Sequence, residues 1–144
     1  MAALVGLGLA GVLEREDSAG ATGADGAARA EWPTVTRQGL MPSLTVTVDN
    51  GGPVARVPVV RIAAGYLHDL QFDGVSPEPE SQETVGDGLV ELRFPALEPG
   101  ARLEAELHFD IGQQAEALRA RSPLVVLLGG RTLLSEQIRT VILP

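Results

Sequence analysis

"RFPALEPGARLEAELHFDIG", Arg93–Gly112, decides the fold class, because its letters argue for two structures at once. Ala, Arg, Leu and Glu are good helix formers, and Leu103, Leu107 and Ile111 recur at every fourth position. The same segment alternates apolar and polar side chains, the pattern of a half-buried strand. Angles separate the two. At about 100° per residue, a helix that buries Leu103, Leu107 and Ile111 turns Ala105 and Phe109 towards water. A strand places all five on one face, with Arg102, Glu104, Glu106, His108 and Asp110 together on the other. The strand accounts for both sets, so pattern outranks propensity here. Just upstream, Val90, Leu92 and Phe94 alternate with Glu91 and Arg93, and Leu97-Glu98-Pro99-Gly100 forms the turn between two strands.

The same signals recur along the chain. Leu44, Val46 and Val48 alternate with threonines and stop at the turn formers Asp49-Asn50-Gly51-Gly52-Pro53. Val57–Ile62 is β-branched and apolar, with Pro58 suggesting an edge or a bulge. Tyr66–Phe72 reads as a short strand, and Ser76–Thr84, with two prolines and three glutamates, as a solvated loop. Gln113–Arg121 has the composition of a helical turn. Two apolar runs flank Gly129-Gly130, a hairpin signal, and the second carries Ile138, Thr140 and Ile142 on one side. The tally is seven to eight short strands with connections too short for crossover helices. It predicts an all-β fold, an antiparallel immunoglobulin-like β-sandwich over residues 32–144.

The first thirty-one residues read differently. Residues 1–13 are apolar or glycine throughout, shorter than the roughly 20 residues a membrane-spanning helix needs. Three readings stand: the outer end of a membrane anchor that begins upstream of Met1, a signal peptide cut near Ala19-Gly20-Ala21, or a loosely docked start. The signal peptide lacks a basic leading region and meets the acidic Glu14-Arg15-Glu16-Asp17. Residues 14–31 are rich in Ala and Gly and predict a flexible linker. A greasy segment, a spacer and a compact domain together describe a tethered domain. No Lys or Arg precedes the apolar run and the residues just after it are net acidic, which agrees with an expected position on the extracytoplasmic side of the cell membrane.

Composition excludes several functions. The net charge is -8, and all eleven basic residues are arginine. An acidic chain without a basic stripe in sequence is a poor nucleic-acid binder, so no nucleic-acid partner is expected. The chain has no cysteine, which removes disulfide scaffolds, thiolate zinc sites and cysteine nucleophiles. No nucleophile elbow, zinc-protease helix or phosphate-cradling glycine loop occurs.

The strand-and-turn signatures "LTVTVDNGG" and "GLVELRFPALEPGARLEAELHF" resemble those of bacterial extracytoplasmic immunoglobulin-like domains of the CARDB and DUF11 conserved-repeat type. The likeness covers roughly Pro42–Phe109. It implies a non-enzymatic role at the cell envelope, as an adhesive, spacer or assembly module with no catalytic set. One unit without tandem repeats favours an accessory subunit partnering an envelope or membrane protein, with membrane contact through residues 1–13. The rival is a secreted calcium-dependent or ligand-binding adhesion domain.

Few residues offer chemistry. His68 and His108 are the only imidazoles. His108 falls on the polar face of its strand, and His68 and Asp69, as strand neighbours, would point apart. A hydrolase would need a serine or carboxylate to converge on one of them. Asp49, Asp73 and Asp87 sit in turns, where they would hold calcium or simply bond their own backbone. The glutamates of Glu78–Glu83 suit a solvated loop better than a docking site. Trp32 marks entry to the first strand or sits at a membrane interface, and Tyr66 is the other amphipathic aromatic. No catalytic, cofactor-binding or metal residue is expected, and no cofactor.

Overall fold

In a computed structural model of the chain, the described residues are 15–23, 25–112 and 118–144. The opening segment folds as its faces require. Leu103, Ala105, Leu107, Phe109 and Ile111 are all buried, while Arg102, Glu104 and Glu106 are exposed and His108 is half-buried. It forms the eighth of ten strands: β1 (Arg15–Gly23), β2 (Gly26–Arg37), β3 (Ser43–Asn50), β4 (Pro58–Ala63), β5 (Phe72–Ser76), β6 (Ser81–Val85), β7 (Leu89–Arg93), β8 (Arg102–Phe109), β9 (Leu118–Leu128) and β10 (Arg131–Leu143). A short α-helix, α1 (Ala64–Asp69), lies between β4 and β5. The fold is nearly all β.

The strands form one hydrogen-bonded path in the order β5-β8-β3-β2-β10-β9-β4-β7-β6, with β1 added on β2. Leu107 and Phe109 of β8 share a buried cluster with Val90 and Leu92 of β7, near the opposite end of that path. The sheet therefore curls over a single core, and its two terminal strands, β5 and β6, stay unpaired with each other.

Several expectations are corrected. The expected seven to eight antiparallel strands are ten, and β2 runs parallel to β10 over Val35–Arg37 and Val141–Leu143. Local patterning carries no information on which distant strand will be the neighbour. The linker expected over 14–31 is instead the β1–β2 hairpin, paired from Arg15↔Val35 to Gly23↔Gly26. Its alanines are small but alternate: Ala28 and Ala30 are buried, and Ala19 and Ala21 pack against the core. Close approach also matters there, since a Cβ on Gly26 would stand 2.6 Å from the Asp49 carbonyl oxygen.

Tyr66–Phe72 is not a strand. Tyr66, Leu67 and Leu70 are the buried residues, a spacing of one and four that a helix presents on one face. Pro58 marks neither an edge nor a bulge; it opens β4, which lies between β9 and β7, and the first residue of a strand tolerates its missing donor. The loop expected over Ser76–Thr84 contains β6, whose side chains are exposed on both faces. The Gly129-Gly130 hairpin and the strand ending at Asn50 occur as expected, with φ of 62° and 80° at the two glycines. Residues 1–13, and the part of the expected helical turn over 113–117, lie outside the described residues, while Leu118–Arg121 belongs to β9. No helix among the described residues is long and apolar enough to cross a membrane.

Candidate functional site

The gap between the unpaired ends of the sheet forms a cleft of about 650 Å³. Its floor is apolar: Ala64 and Leu67 of α1, Phe72 of β5, Val90 of β7 and Leu118 at the start of β9. His68, Asp69, Gln71 and Gln82 add polar groups around it. The cleft is open and mixed, with five apolar and four polar residues lining it, and could seat a side chain or a short extended segment. Leu118 is 38% exposed although it belongs to this apolar floor. Gln71, with φ of 58°, turns the chain out of α1 and into β5.

Helix α1 changes the standing of His68 and Asp69. They are consecutive on a helix rather than on opposite faces of a strand, and both line the cleft. None of the residues that join them there was legible as a site. Phe72, Gln82, Val90 and Leu118 come from four different strands, and no local spacing connects them.

His108 does receive the serine and the carboxylate that a hydrolase would need. Ser76 Oγ lies 3.1 Å from its Nε2, and Glu106 Oε1 lies 3.5 Å from the same nitrogen. The geometry is that of a surface cluster. A nucleophile relay uses both ring nitrogens, one for the hydroxyl and the other for the orienting acid, whereas here both partners compete for one. The His108 and Glu106 side chains are 43% and 48% exposed, too wet for strong electrostatic activation.

The turn aspartates stay apart in role. Asp49 accepts from Arg102 Nε at 2.7 Å, which raises the pKa of that guanidinium further above its ordinary value. Asp73 lies within β5, and Asp87 adopts φ of 64° in the turn before β7. Among the described residues, no three His, Asp or Glu side chains are placed to share a metal ion. Calorimetry in millimolar calcium against chelator tests the turn aspartates: with Asp49 held by Arg102, they are expected to contribute no calcium-dependent rise in melting temperature, and a rise abolished by Asp73→Asn or Asp87→Asn would contradict this.

Trp32 is only 5% exposed and belongs to the core, so it does not mark a membrane interface. Tyr66 is buried as well, its hydroxyl 2.7 Å from Thr140 Oγ1, which in turn donates to the Pro33 carbonyl. Burial pushes the Tyr66 pKa up to about 12, against a smaller lowering by the Thr140 hydrogen bond. The unfolded chain ionises at the ordinary value of 10.0, so stability is whole below that pH and falls as pH rises towards 12. Because the chain has one tyrosine, its ultraviolet absorbance titration reads this group alone. A midpoint at the ordinary value in the native protein would show that the hydroxyl is not buried.

The fold also gathers arginines that lie far apart in sequence. Val59, Arg61, Glu91, Arg93, Val125 and Leu127 share the outer side of β4, β7 and β9, with Glu91 paired to Arg61 and Arg93, and Arg119, Arg121 and Arg139 continue that side. Arg121 stands directly opposite Arg139, and both are exposed. Like charges across a strand pair repel. Arg121→Glu should therefore raise stability by about 0.5 kcal/mol, a gain that shrinks in high salt and that thermal melts at two ionic strengths would measure.

No family model matches the chain, and no curated protein matches it. Among solved structures it is similar to AvmM, which catalyses macrocyclization in alchivemycin A biosynthesis, at 12% identity and a TM-score of 0.42 over 92% of this chain and 89% of that one. It is similar to Pseudomonas fluorescens alkylpurine DNA glycosylase AlkC bound to DNA containing an abasic site analog, at 16% identity and a TM-score of 0.36 over 75% of this chain. A β-glucosidase from Listeria innocua in complex with glucose gives 10% identity and a TM-score of 0.41 over 91%. The chain spans 27% of the glycosylase and 16% of the glucosidase. Likenesses this distant carry no argument about activity.

Proposed function

We infer that the chain is a non-enzymatic interaction module on an immunoglobulin-like sandwich, and that it binds its partner through the cleft between α1 and the free sheet ends. The cleft is what supports the reading: Leu118 lies partly exposed beside Leu67, Phe72 and Val90, apolar side chains that a bound segment would cover. Strand order supports the immunoglobulin-like part. The strands β2 to β10 curl over one core with mostly antiparallel neighbours, and β2 joins β3 to the last strand, β10. The Ser76, His108 and Glu106 geometry supports the non-enzymatic part. Attachment to the extracytoplasmic side of the cell membrane, as an accessory to an envelope protein, belongs to the same proposal and rests on residues 1–13 and the family resemblance.

The test is NMR of the full chain titrated with short N-acyl amides, which offer an apolar tail and a polar head. Signals of Leu67, Phe72, Val90 and Leu118 should move first, and Leu118→Asp should weaken binding about tenfold, the equivalent of ~1.4 kcal/mol. Shifts confined to other surfaces would overturn the cleft as the site. Turnover of an ester panel that disappears in His108→Ala would overturn the non-enzymatic reading.

A further inference from the structure

We propose that β6 accepts an extended segment of a partner protein as an added strand, with the pattern apolar, basic, apolar. The inference rests on the cleft being the binding site and names the class of partner that it takes.

Three observations converge on β6. It pairs with β7 alone, so its other edge is free to add a strand. Gln82, on the inner side of β6 opposite Leu92, lines the cleft, so side chains beside Gln82 and Thr84 on an added strand would face the apolar floor. The third observation is electrostatic. Glu83 stands directly opposite Glu91 across the β6–β7 pair, a repulsive placement. Glu91 is compensated by Arg61 at 2.8 Å and Arg93 at 3.5 Å. Glu83 has no ion pair among the described residues.

The molecule already contains the proposed pairing on the other side of β7. There Val60-Arg61-Ile62 of β4 lies against Leu92-Glu91-Val90, apolar residues flanking an Arg–Glu contact. At the free edge, Gln82-Glu83-Thr84 presents the acidic half of such a pair without its counterpart. A lysine or arginine opposite Glu83 would give Glu83 the cationic partner that Glu91 already has in Arg61 and Arg93, and Glu78 and Glu80 in the preceding loop add to the attraction. A second copy of this chain is a poor occupant, because its own Val60-Arg61-Ile62 and Leu92-Arg93 are already paired inside the sheet.

The experiment titrates labelled full chain with the capped peptide Thr-Ser-Val-Lys-Val-Ser-Thr and with its Val-Glu-Val counterpart. The lysine peptide should shift the Ser81–Val85 amides and bind at least about tenfold more tightly than the glutamate peptide. Glu83→Lys should invert that preference, and Glu83→Gln should reduce it to about twofold; both change an exposed side chain and leave the fold intact. Equal affinities for the two peptides, or shifts away from β6, would overturn the inference. If N-acyl amides still move Leu67 and Leu118 while the peptides leave β6 unmoved, strand addition fails and the cleft stands. If neither probe binds, both fall. Dimers of the chain that the lysine peptide displaces would identify a second copy as the occupant and overturn the assignment to a partner protein.

Discussion

Replacing Phe109 by alanine is expected to cost about 3–5 kcal/mol of stability, the range for removing a fully buried aromatic ring. Phe109 is 1% exposed, and its ring meets Tyr66 edge-on at 6.1 Å and Phe72 at 6.0 Å. Those partners come from α1 and β5, so the ring ties β8 to both. Equilibrium urea unfolding would show a lower midpoint with an unchanged slope. The control is Glu104→Ala on the opposite face of the same strand, expected within about 0.5 kcal/mol of the parent. The pair of results also tests the fold: in a helix Phe109 would face water, and its loss would be nearly silent.

Asn50→Ala is expected to cost about 3 kcal/mol, because several backbone groups lose their partner together. Asn50 is 1% exposed at the end of β3. Its side-chain amide donates to the carbonyls of Val54 at 3.0 Å and Leu97 at 2.8 Å, while its Oδ1 accepts from the Gly52 N–H at 3.1 Å. The same oxygen accepts from Arg56 Nη2 at 2.7 Å, and that guanidinium also donates to the Asp25 carbonyl. One amide thus ties the end of β3 to the loop after it, to the β7–β8 connection and to the β1–β2 turn. Asn50→Asp would keep the acceptor for Gly52 and Arg56 but turn a carboxylate oxygen onto the Val54 and Leu97 carbonyls, and should cost at least as much as alanine. Thermal melts of the three proteins would rank them; equal stabilities would show that water replaces the side chain.

These two residues mark how far sequence carried. Phe109 was legible because alternation is a local property: a pleated strand sends neighbours to opposite faces whatever it pairs with. Asn50 was legible only as a turn former. Its partners at Leu97, Arg56 and Asp25 depend on chain segments that meet only in the folded state. The β1–β2 hairpin was missed because alanine and glycine give a weak hydrophobic signal, even where Ala28 and Ala30 are buried. Helix α1 was missed because its span, Ala64–Asp69, is too short for a periodicity to develop.

The candidate site was less legible still. His68 and Asp69 were singled out as neighbours, but the apolar floor that gives them a context is drawn from α1, β5, β7 and β9. The acidic stretch Glu78–Glu83 looked like a solvated loop because an edge strand, wet on both faces, has the composition of one. The arginines looked scattered because the face they share is created by the β10-β9-β4-β7 order.

Sequence alone determined that this protein is built from strands, which side of β3, β7 and β8 enters the core, and the turns after β3, between β7 and β8, and between β9 and β10. Tertiary structure decided the parallel β2–β10 pair, the curl of the sheet, the free edge of β6 and the cleft beside it. The division follows from range. A side chain's face is set by the pleat of its own strand, whereas an edge, a cleft or a shared charged face exists only once distant strands have chosen their neighbours.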